Sequence, residues 1–228
     1  MSNWPIIDGW VIPDDQYKLY EARHYNDTPV LIGTNADEGS LFVRTTTAAQ
    51  YTAMVRAAYG DYADKILAAY PAADDAQALR SQRDLFRDTA FAWHTVTWAR
   101  LQAKAGTSKV FVYYFTHRPP YPDTPMFKGV GASHGADIAY VFGNPRNFGN
   151  GDPSADDTRL SDEIMTYWTN FARTGDPNGE GVPAWPAFTG GAQTVQQLDV
   201  QPAPIALPNA SQLETLDGYY AWRRSREP

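Results

Sequence analysis

The sequence of 228 residues predicts an α/β fold in which parallel strands are joined by helices. Two short apolar runs, residues 28–33 and 109–116, are typical of strands that are buried on both faces of a sheet. Between them, residues 80–104 repeat apolar side chains at steps of three, four and seven, as an amphipathic helix does. Because a strand, a helix and a second strand usually form a right-handed crossover, we expect the two strands to pair in parallel.

The first part of the chain surrounds the first strand with irregular and helical segments. Residues 1–15 are punctuated by proline and glycine, and we expect them to be irregular or extended. After the first strand, helical patterns cover residues 46–58 and 61–69, and Pro71 ends the second of them. These two helices precede the longer one that leads into the second strand.

After the second strand, residues 117–133 form a loop that contains four prolines. Loops of this length in compact domains are usually functional. One or two turns of helix are expected over residues 135–142, a weak strand over 194–200 and a last helix over 209–223.

A stronger helix is predicted over residues 161–174, where apolar side chains recur on one face. Ser161 is the candidate for its N-cap, and Gly175 follows its last turn.

The composition excludes several classes of partner and site. The net charge of −7 and the isoelectric point near 5.0 argue against nucleic-acid or anionic-membrane partners, since both select clustered lysine and arginine. The absence of cysteine excludes disulfides, thiolate zinc sites and cysteine nucleophiles. The chain has neither an apolar run long enough for a membrane span nor the features of a signal peptide. We expect a soluble protein, either cytoplasmic or secreted from a bacterium.

Two polar residues follow the predicted strands at the sheet edge where active-site groups collect in open α/β folds. Glu38 lies a few residues after the first strand, and His134 closes the loop after the second. A carboxylate that orients a histidine base makes up two of the three groups of a hydrolytic triad. From the residues alone, a solvated Glu38 and a structural His134 remain equally open alternatives.

Residues 131–135 match the G-x-S-x-G pattern and offer Ser133 as a candidate nucleophile. A nucleophile elbow needs an apolar strand that runs directly into it, whereas residues 125–130 are short and broken by proline and glycine. Neighbouring side chains at 133 and 134 also cannot easily present a hydroxyl and an imidazole to each other. A self-contained hydrolase that uses Ser133 is therefore the weakest hypothesis.

The sequence gives little support for a metal site or for a phosphate- or dinucleotide-binding site. His24, His94 and His117 have no metal-ligand spacing with carboxylates, and we expect His94 to be packed within its aromatic helix. The acidic residues 151–157 lack the register of a calcium-binding loop, and the glycine motifs that bind phosphates or dinucleotides are absent. The sequence predicts no metal site and no cofactor.

Several segments, in order and with their spacing, resemble the C-terminal part of the type-B carboxylesterases, the α/β-hydrolases that include cholinesterases and bacterial para-nitrobenzyl esterases. The segments are WPIIDGWVIP (4–13), PVLIGTNADEGSLF (29–42), VFVYYFTHRP (110–119), GASHGADIAYVFG (131–143), YWTNFARTGDPN (167–178) and PAWPAF (183–188). The resemblance implies that residues 1–228 form the C-terminal portion of an α/β-hydrolase fold, with the last central parallel strands and their surrounding helices.

The resemblance also implies site residues. The catalytic acid of the family falls on Glu38 and its catalytic base on His134. Leu41 and Phe42 follow the acid where the family often places side chains that line the substrate pocket, with core packing as the equal alternative. Asp137 matches a position that is usually acidic, and it is either a buried carboxylate behind the catalytic pair or simply an acid that favours the start of a helix.

The nucleophilic serine of the family and its oxyanion-hole glycines belong to an N-terminal half that these residues do not match. Because this chain departs from the family in that respect, we expect that half to be a separate, non-covalently bound segment; a natural start at Met1 and one side of a split or nicked protein are both open alternatives. The resemblance implies a small-molecule ester as the substrate. Because two central strands alone would leave a long apolar edge, we expect the chain to be unstable as a free monomer. The alternative is a non-catalytic esterase-like binding module, against which the presence of both Glu38 and His134 argues.

Overall fold

A computed structural model describes residues 6–145 and 152–226 of the chain. These residues form one four-stranded sheet in the order β1 (Val30–Asn35), β2 (Val110–Phe115), β3 (Thr194–Leu198) and β4 (Ala203–Ala206). β1 pairs with β2 in parallel, β2 pairs with β3 in parallel, and β4 closes the sheet as an antiparallel strand. The predicted α/β class and the parallel pairing of the first two strands are confirmed.

Helices precede, connect and follow the strands. They are α1 (Gln16–Glu21), α2 (Ala48–Tyr59), α3 (Ala63–Ala69), α4 (Asp75–Arg87), α5 (Trp93–Ala105), α6 (Ala136–Val141), α7 (Ala155–Thr174) and α8 (Ala210–Arg224). A short 3₁₀ turn, Gly60–Tyr62, leads from α2 into α3. No helix in the described ranges is both long and apolar enough to cross a membrane.

The sheet is covered on both faces, as a continuous apolar strand requires. On one face, Phe111 and Phe115 of β2 pack with Tyr140 of α6 and Ile164 of α7. On the other face, side chains of β1, β2 and β3 pack with Ala99 of α5. The carboxyl ends of the parallel strands are therefore held between two helical layers.

The helix predicted over residues 80–104 is two helices joined by a wider turn. α4 begins earlier than predicted because the side chain of Asp74 accepts the N–H of Gln77 and caps it. Between α4 and α5, the π-helical segment Asp88–Ala92 interrupts the regular spacing of side chains. Within this segment Asp88 is fully buried and accepts hydrogen bonds from Arg87 and Tyr70.

The predicted start of α7 is wrong. The helix is capped by Ser154, whose hydroxyl accepts the N–H of Asp157 while the Asp157 carboxylate accepts the N–H of Ser154. The end of the acidic stretch 151–157 is thus the helix start, with Ser154 as the cap and residues 155–157 in the first turn, while residue 151 lies outside the described residues. Ser161 is buried inside the helix and donates its hydroxyl to the carbonyl of Tyr140. Gly175 ends the helix in a left-handed conformation, as predicted.

Two elements were not expected. α1 forms where Asp15 caps residues that follow the irregular segment, of which residues 1–5 lie outside the described part. β4 contains Pro204, which a strand tolerates at the edge of a sheet because the missing N–H has no ladder to complete there. The strand expected over 194–200 is shorter, as β3, and the other predicted helices correspond to α2, α3, α6 and α8.

Candidate active site

The loops after β1 and β2 meet at the carboxyl edge of the sheet. Asp37 and Ser133 form an isolated parallel bridge, in which the N–H of Asp37 donates to the carbonyl of Ala132 at 2.9 Å. The Asp37 carboxylate also accepts the N–H of Gly131 at 2.6 Å. The next residue along each loop, Glu38 and His134, is therefore brought to the same place.

Side chains of helix α4 hold the loop that carries Glu38 in place. Arg83 donates to the carbonyl of Val43 at 2.9 Å, and Arg87 donates to the carbonyl of Ala36 at 3.2 Å. Gly39 lies so close to α4 that an added Cβ would stand 2.3 Å from the carbonyl oxygen of Arg83. A larger residue at position 39 would thus push the loop away from the helix.

Glu38 and His134 form a hydrogen-bonded pair. Nδ1 of His134 lies 2.7 Å from Oε2 of Glu38, and Oε1 of Glu38 accepts the N–H of Asn35 at 2.8 Å. The Glu38 side chain is 6% exposed, whereas that of His134 is 48% exposed. Burial raises the pKa of Glu38, and the hydrogen bonds from Asn35 and His134 offset only part of that rise.

This pairing leaves the imidazole suited to proton transfer. An acceptor at Nδ1 fixes the tautomer and the plane of the ring, so that Nε2 carries the lone pair. None of the hydrogen bonds among the described residues uses Nε2 of His134. The pair can therefore accept a proton at Nε2 and stabilise the resulting imidazolium through the carboxylate.

Phenylalanine rings surround the imidazole. Phe91 stacks on His134 with ring centroids 4.7 Å apart, and Phe42 lies 5.7 Å from it. Phe42 itself is 54% exposed and stacks on Phe86 at 4.9 Å. Leu41, the other predicted pocket residue, is half-buried one position before Phe42. The histidine thus has an apolar, partly open neighbourhood.

Phe86 and Phe91 are site residues that the sequence pattern did not identify. Phe86 belonged to the apolar repeat of residues 80–104 and was assigned to a helix face. Phe91 lies in the π-helical segment, which changes the direction of side chains relative to a regular helix. No signal in the sequence marks that segment, so the contact of Phe91 with His134 could not be predicted from periodicity.

Asp137 lies behind the pair, in the first turn of α6. Its Oδ1 accepts the side-chain N–H of Asn35 at 2.9 Å, and its Oδ2 accepts the hydroxyl of Tyr113 at 2.8 Å. The structure therefore places Asp137 as a half-buried carboxylate at a helix start. Its negative charge contributes, as a minor cause, to the raised pKa of Glu38.

Ser133 faces the interior. It is fully buried, and its hydroxyl lies 2.7 Å from the hydroxyl of Tyr121. The backbone N–H of Ser133 also donates to the Tyr121 hydroxyl at 3.3 Å. These contacts give Ser133 a structural environment, in keeping with the expectation that it is not the nucleophile.

The other histidines lie away from this pair. His117 sits between Asp157 at 2.8 Å and Asp199 at 3.4 Å, an arrangement that the long sequence separations concealed. His94 contacts the rings of Trp93 and Tyr220, with centroids 5.1 and 6.1 Å away, as expected of a packed histidine. Its outer side is exposed and borders a groove of about 880 Å³ between α1, α5 and α8. Neither Glu38 nor His134 lines that groove. Across the described residues, no group of three or more histidine or acidic side chains is arranged so that it could hold a metal ion.

Comparison with known proteins adds an independent finding. The family model described as the carboxylesterase family matches residues 1–216. Carboxylesterase 5A of Felis catus is 31% identical over 213 residues, which are 81% of this chain and 37% of that protein. The medium-chain fatty acyl-CoA hydrolase precursor of Anas platyrhynchos is 31% identical over 202 residues, with 80% of this chain and 36% of that protein covered. The liver carboxylesterase of Sus scrofa is 29% identical, over 80% of this chain and 35% of that protein. The chain spans about a third of the length of these relatives.

Proposed function

Because the chain belongs to the carboxylesterase family, we propose that it takes part in serine-dependent hydrolysis of carboxylic esters. The observation that carries the proposal is the Glu38–His134 pair, in which a buried carboxylate holds Nδ1 of a half-exposed imidazole. In this proposal Glu38 is the catalytic acid of a Ser-His-Glu triad and His134 is its base.

The reaction follows from the roles of the two groups. A serine hydroxyl attacks the ester carbonyl while Nε2 of His134 takes the hydroxyl proton. The bond to the alcohol then breaks, and His134 passes the proton to the departing oxygen. Water repeats the sequence on the acyl-serine to release the carboxylic acid. Throughout, the Glu38 carboxylate stabilises the imidazolium that forms at each proton transfer.

We place the nucleophilic serine on a separate N-terminal segment of the same fold, outside residues 1–228. The buried environment of Ser133 supports this placement, since a fully buried hydroxyl cannot reach a substrate. The order of the sheet supports it as well, because among the described residues β1 pairs with β2 alone. A partner segment could add its own strand beside β1.

The rings at the site suggest the kind of ester. Phe42 and Phe91 present an apolar surface beside the imidazole. We propose Phe42 and Leu41 as residues that line the binding site of a small-molecule ester with an apolar group next to the scissile bond. Burial of such a group is worth about 0.8 kcal/mol per methylene.

The experiment labels the purified protein that contains this chain with a fluorophosphonate and measures hydrolysis of a short para-nitrophenyl ester. Intact-mass spectra identify the polypeptide that carries the label. Label on a segment other than residues 1–228, with hydrolysis lost in His134→Gln, supports the proposal. Label on Ser133 would support a self-contained hydrolase, and absence of label and of hydrolysis would support a non-catalytic binding module.

His117→Gln is the matched control for His134→Gln. His117 also lies beside buried carboxylate oxygen, that of Asp157, but on the side of the sheet that α7 covers. Loss of hydrolysis in both variants would indicate a general effect on the fold rather than a role for His134.

A further inference from the structure

Asn35 connects the two loops that carry Glu38 and His134. It is the last residue of β1 and is 2% exposed. Its backbone N–H donates to Oε1 of Glu38 at 2.8 Å. Its side-chain Nδ2 crosses to the other loop, where it donates to the carbonyl of Ser133 at 2.8 Å and to Oδ1 of Asp137 at 2.9 Å.

The side-chain amide of Asn35 acts through its NH₂ group, which donates two hydrogen bonds. Both of its partners, the Ser133 carbonyl and the Asp137 carboxylate, are acceptors, so only the NH₂ group can face them. Oδ1 of Asn35 is buried and finds no donor among the described residues. A buried acceptor without a donor costs about 1–3 kcal/mol of stability. The two hydrogen bonds that Nδ2 donates offset this cost.

The far side of this connection is fixed to the sheet. The Asp137 carboxylate accepts the hydroxyl of Tyr113, which extends from β2. Tyr113 lies across Gly33 of β1, where an added Cβ would stand 2.3 Å from the tyrosine ring. The histidine loop is thus held to β1 through Asn35 and to β2 through Tyr113.

We propose that Asn35 is a positioning residue that sets the separation of Glu38 and His134, an inference that rests on the proposed ester hydrolysis. The two loops leave different strands, and the Asn35 side chain lies where they come together. Its hydrogen bonds go to Glu38, Ser133 and Asp137, and none of them involves Nε2 of His134. A displacement of about 1 Å in a catalytic group can lower the rate about a hundredfold. The hydrogen bonds of Asn35 therefore matter for catalysis as well as for stability.

The test is Asn35→Asp, which keeps the shape of the side chain but turns both contacts into repulsion between acceptors. We expect kcat/KM for a short para-nitrophenyl ester to fall by about 10- to 100-fold, with most of the loss in kcat. We also expect the downfield proton resonance of the His134 Nδ1–H···Glu38 hydrogen bond to move or disappear in the purified variant, whether or not the parent protein hydrolyses the ester. Asn35→Ala, which adds no charge, should give the same changes in smaller measure and serves if Asn35→Asp does not fold.

Gln102→Glu is the matched control at the opposite end of β1. Gln102 is 1% exposed, and its amide donates to the carbonyl of Thr28 at 2.8 Å and to Oδ1 of Asp27 at 3.2 Å. The change is again from a buried amide to an acid that faces two acceptors. It should lower stability while leaving the downfield resonance and kcat unchanged.

The outcomes separate the inference from the function on which it rests. If the parent protein hydrolyses the ester and the Asn35 variants retain the parent kcat and resonance, the positioning role is overturned and the proposed function stands. If the parent hydrolyses no ester, the proposed function fails. In that case an unchanged resonance in the variants overturns the positioning role too, and a changed one supports it.

Discussion

The carboxylate of Glu38 is buried, which makes its ionisation unfavourable. Burial raises its pKa above the ordinary value of 4.5, and two hydrogen bonds offset only part of the effect. The folded chain therefore binds the proton more tightly than the unfolded chain does. The contribution of this group to stability is fully present below the unfolded pKa and is lost as the pH rises through the higher folded pKa.

Replacement of Glu38 by glutamine tests whether the buried carboxylate lowers stability at neutral pH while it serves catalysis. We expect Glu38→Gln to lower kcat/KM for ester hydrolysis by about 10²–10⁴-fold, since the imidazolium loses its counter-charge. The free energy of unfolding at pH 7 should equal or exceed that of the parent, because the buried charge is gone. The difference should shrink as the pH is lowered toward 4, where Glu38 itself becomes protonated. Urea unfolding at pH 7, 5 and 4 measures it, and a large loss of stability at pH 7 would contradict the explanation.

Ser133 is expected to matter for stability and not for chemistry. Ser133→Ala removes a buried hydrogen bond to Tyr121 and should lower the free energy of unfolding by about 0.5–1.5 kcal/mol. Ester hydrolysis should stay within about twofold of the parent value, because a buried structural hydroxyl takes no part in the reaction. Ser161→Ala, which removes a buried bond to the Tyr140 carbonyl, is the control. Hydrolysis lost in the first variant alone would make Ser133 a catalytic residue.

At the scale of elements, the first turn of α7 gathers a second set of polar groups. Burial alone would raise the pKa of Asp157, but hydrogen bonds from Ser154, Tyr140 and His117 outweigh it and lower the pKa to about 2. Through His117, the helix start is connected to the residues that follow β2, and through Tyr140 to α6. Asp157 therefore caps its helix and joins it to the sheet.

Asp157→Asn should destabilise the chain at neutral pH. A depressed pKa adds stability that is present above the unfolded value of 3.8 and is lost as the pH falls through about 2. We expect the variant to lose about 1–3 kcal/mol at pH 7. The difference from the parent should shrink between pH 4 and pH 2. Denaturant unfolding at pH 7 and pH 3 measures both effects.

Asp156→Asn is the control for this prediction. Asp156 lies in the same turn, but its side chain is 56% exposed, where it pairs with Arg159. Surface ion pairs of this kind contribute about 0–1 kcal/mol. If both variants lost the same stability, the effect would come from helix-terminal charge and not from the buried network.

The same helix shows why some elements could not be predicted from sequence. The apolar repeat favours Ser161 as the N-cap of α7, whereas the structure has Ser154 in that position. The helix begins at Ser154 because Ser154 and Asp157 form reciprocal hydrogen bonds between side chain and backbone. The hydroxyl of Ser161 instead donates to the carbonyl of Tyr140. The π-helical turn at 88–92 was missed for a similar reason, since it is associated with a buried Arg87–Asp88 pair that only the packed structure forms.

At the scale of the whole molecule, the free edge of β1 has a consequence for association. Among the described residues this strand pairs only with β2, while Leu31 and Ile32 remain partly exposed. An apolar strand with unpaired backbone groups is a template for another strand. Residues 1–228 purified alone should therefore self-associate as their concentration rises, in spite of the net charge of −7.

Sedimentation velocity over a hundredfold range of concentration tests this prediction. The sedimentation coefficient should rise with concentration. Under the proposed function, addition of the N-terminal segment that we propose to carry the serine should replace the mixture by a complex with one copy of each. A single monomeric species at every concentration, with a sharp unfolding transition, would contradict both the exposed edge and the need for a partner.

The sequence by itself determined the local structure and the candidates for chemistry. The runs at 28–33 and 109–116 were enough for β1 and β2, because apolar β-branched and aromatic residues favour buried strands wherever they pack. Periodicity was enough for most helices, and the resemblance to carboxylesterases was enough to propose Glu38 and His134. These features depend on residues that are close together in the chain.

Only the tertiary structure decided how these residues meet. Glu38 and His134 are 96 positions apart, so their 2.7 Å contact depends on the register of β1 against β2 and on the loops that Asn35 joins. The contact of Phe91 with the imidazole and the two aspartates around His117 have the same origin. Distances between groups on separate strands depend on the packing of the whole sheet, and no local pattern encodes them.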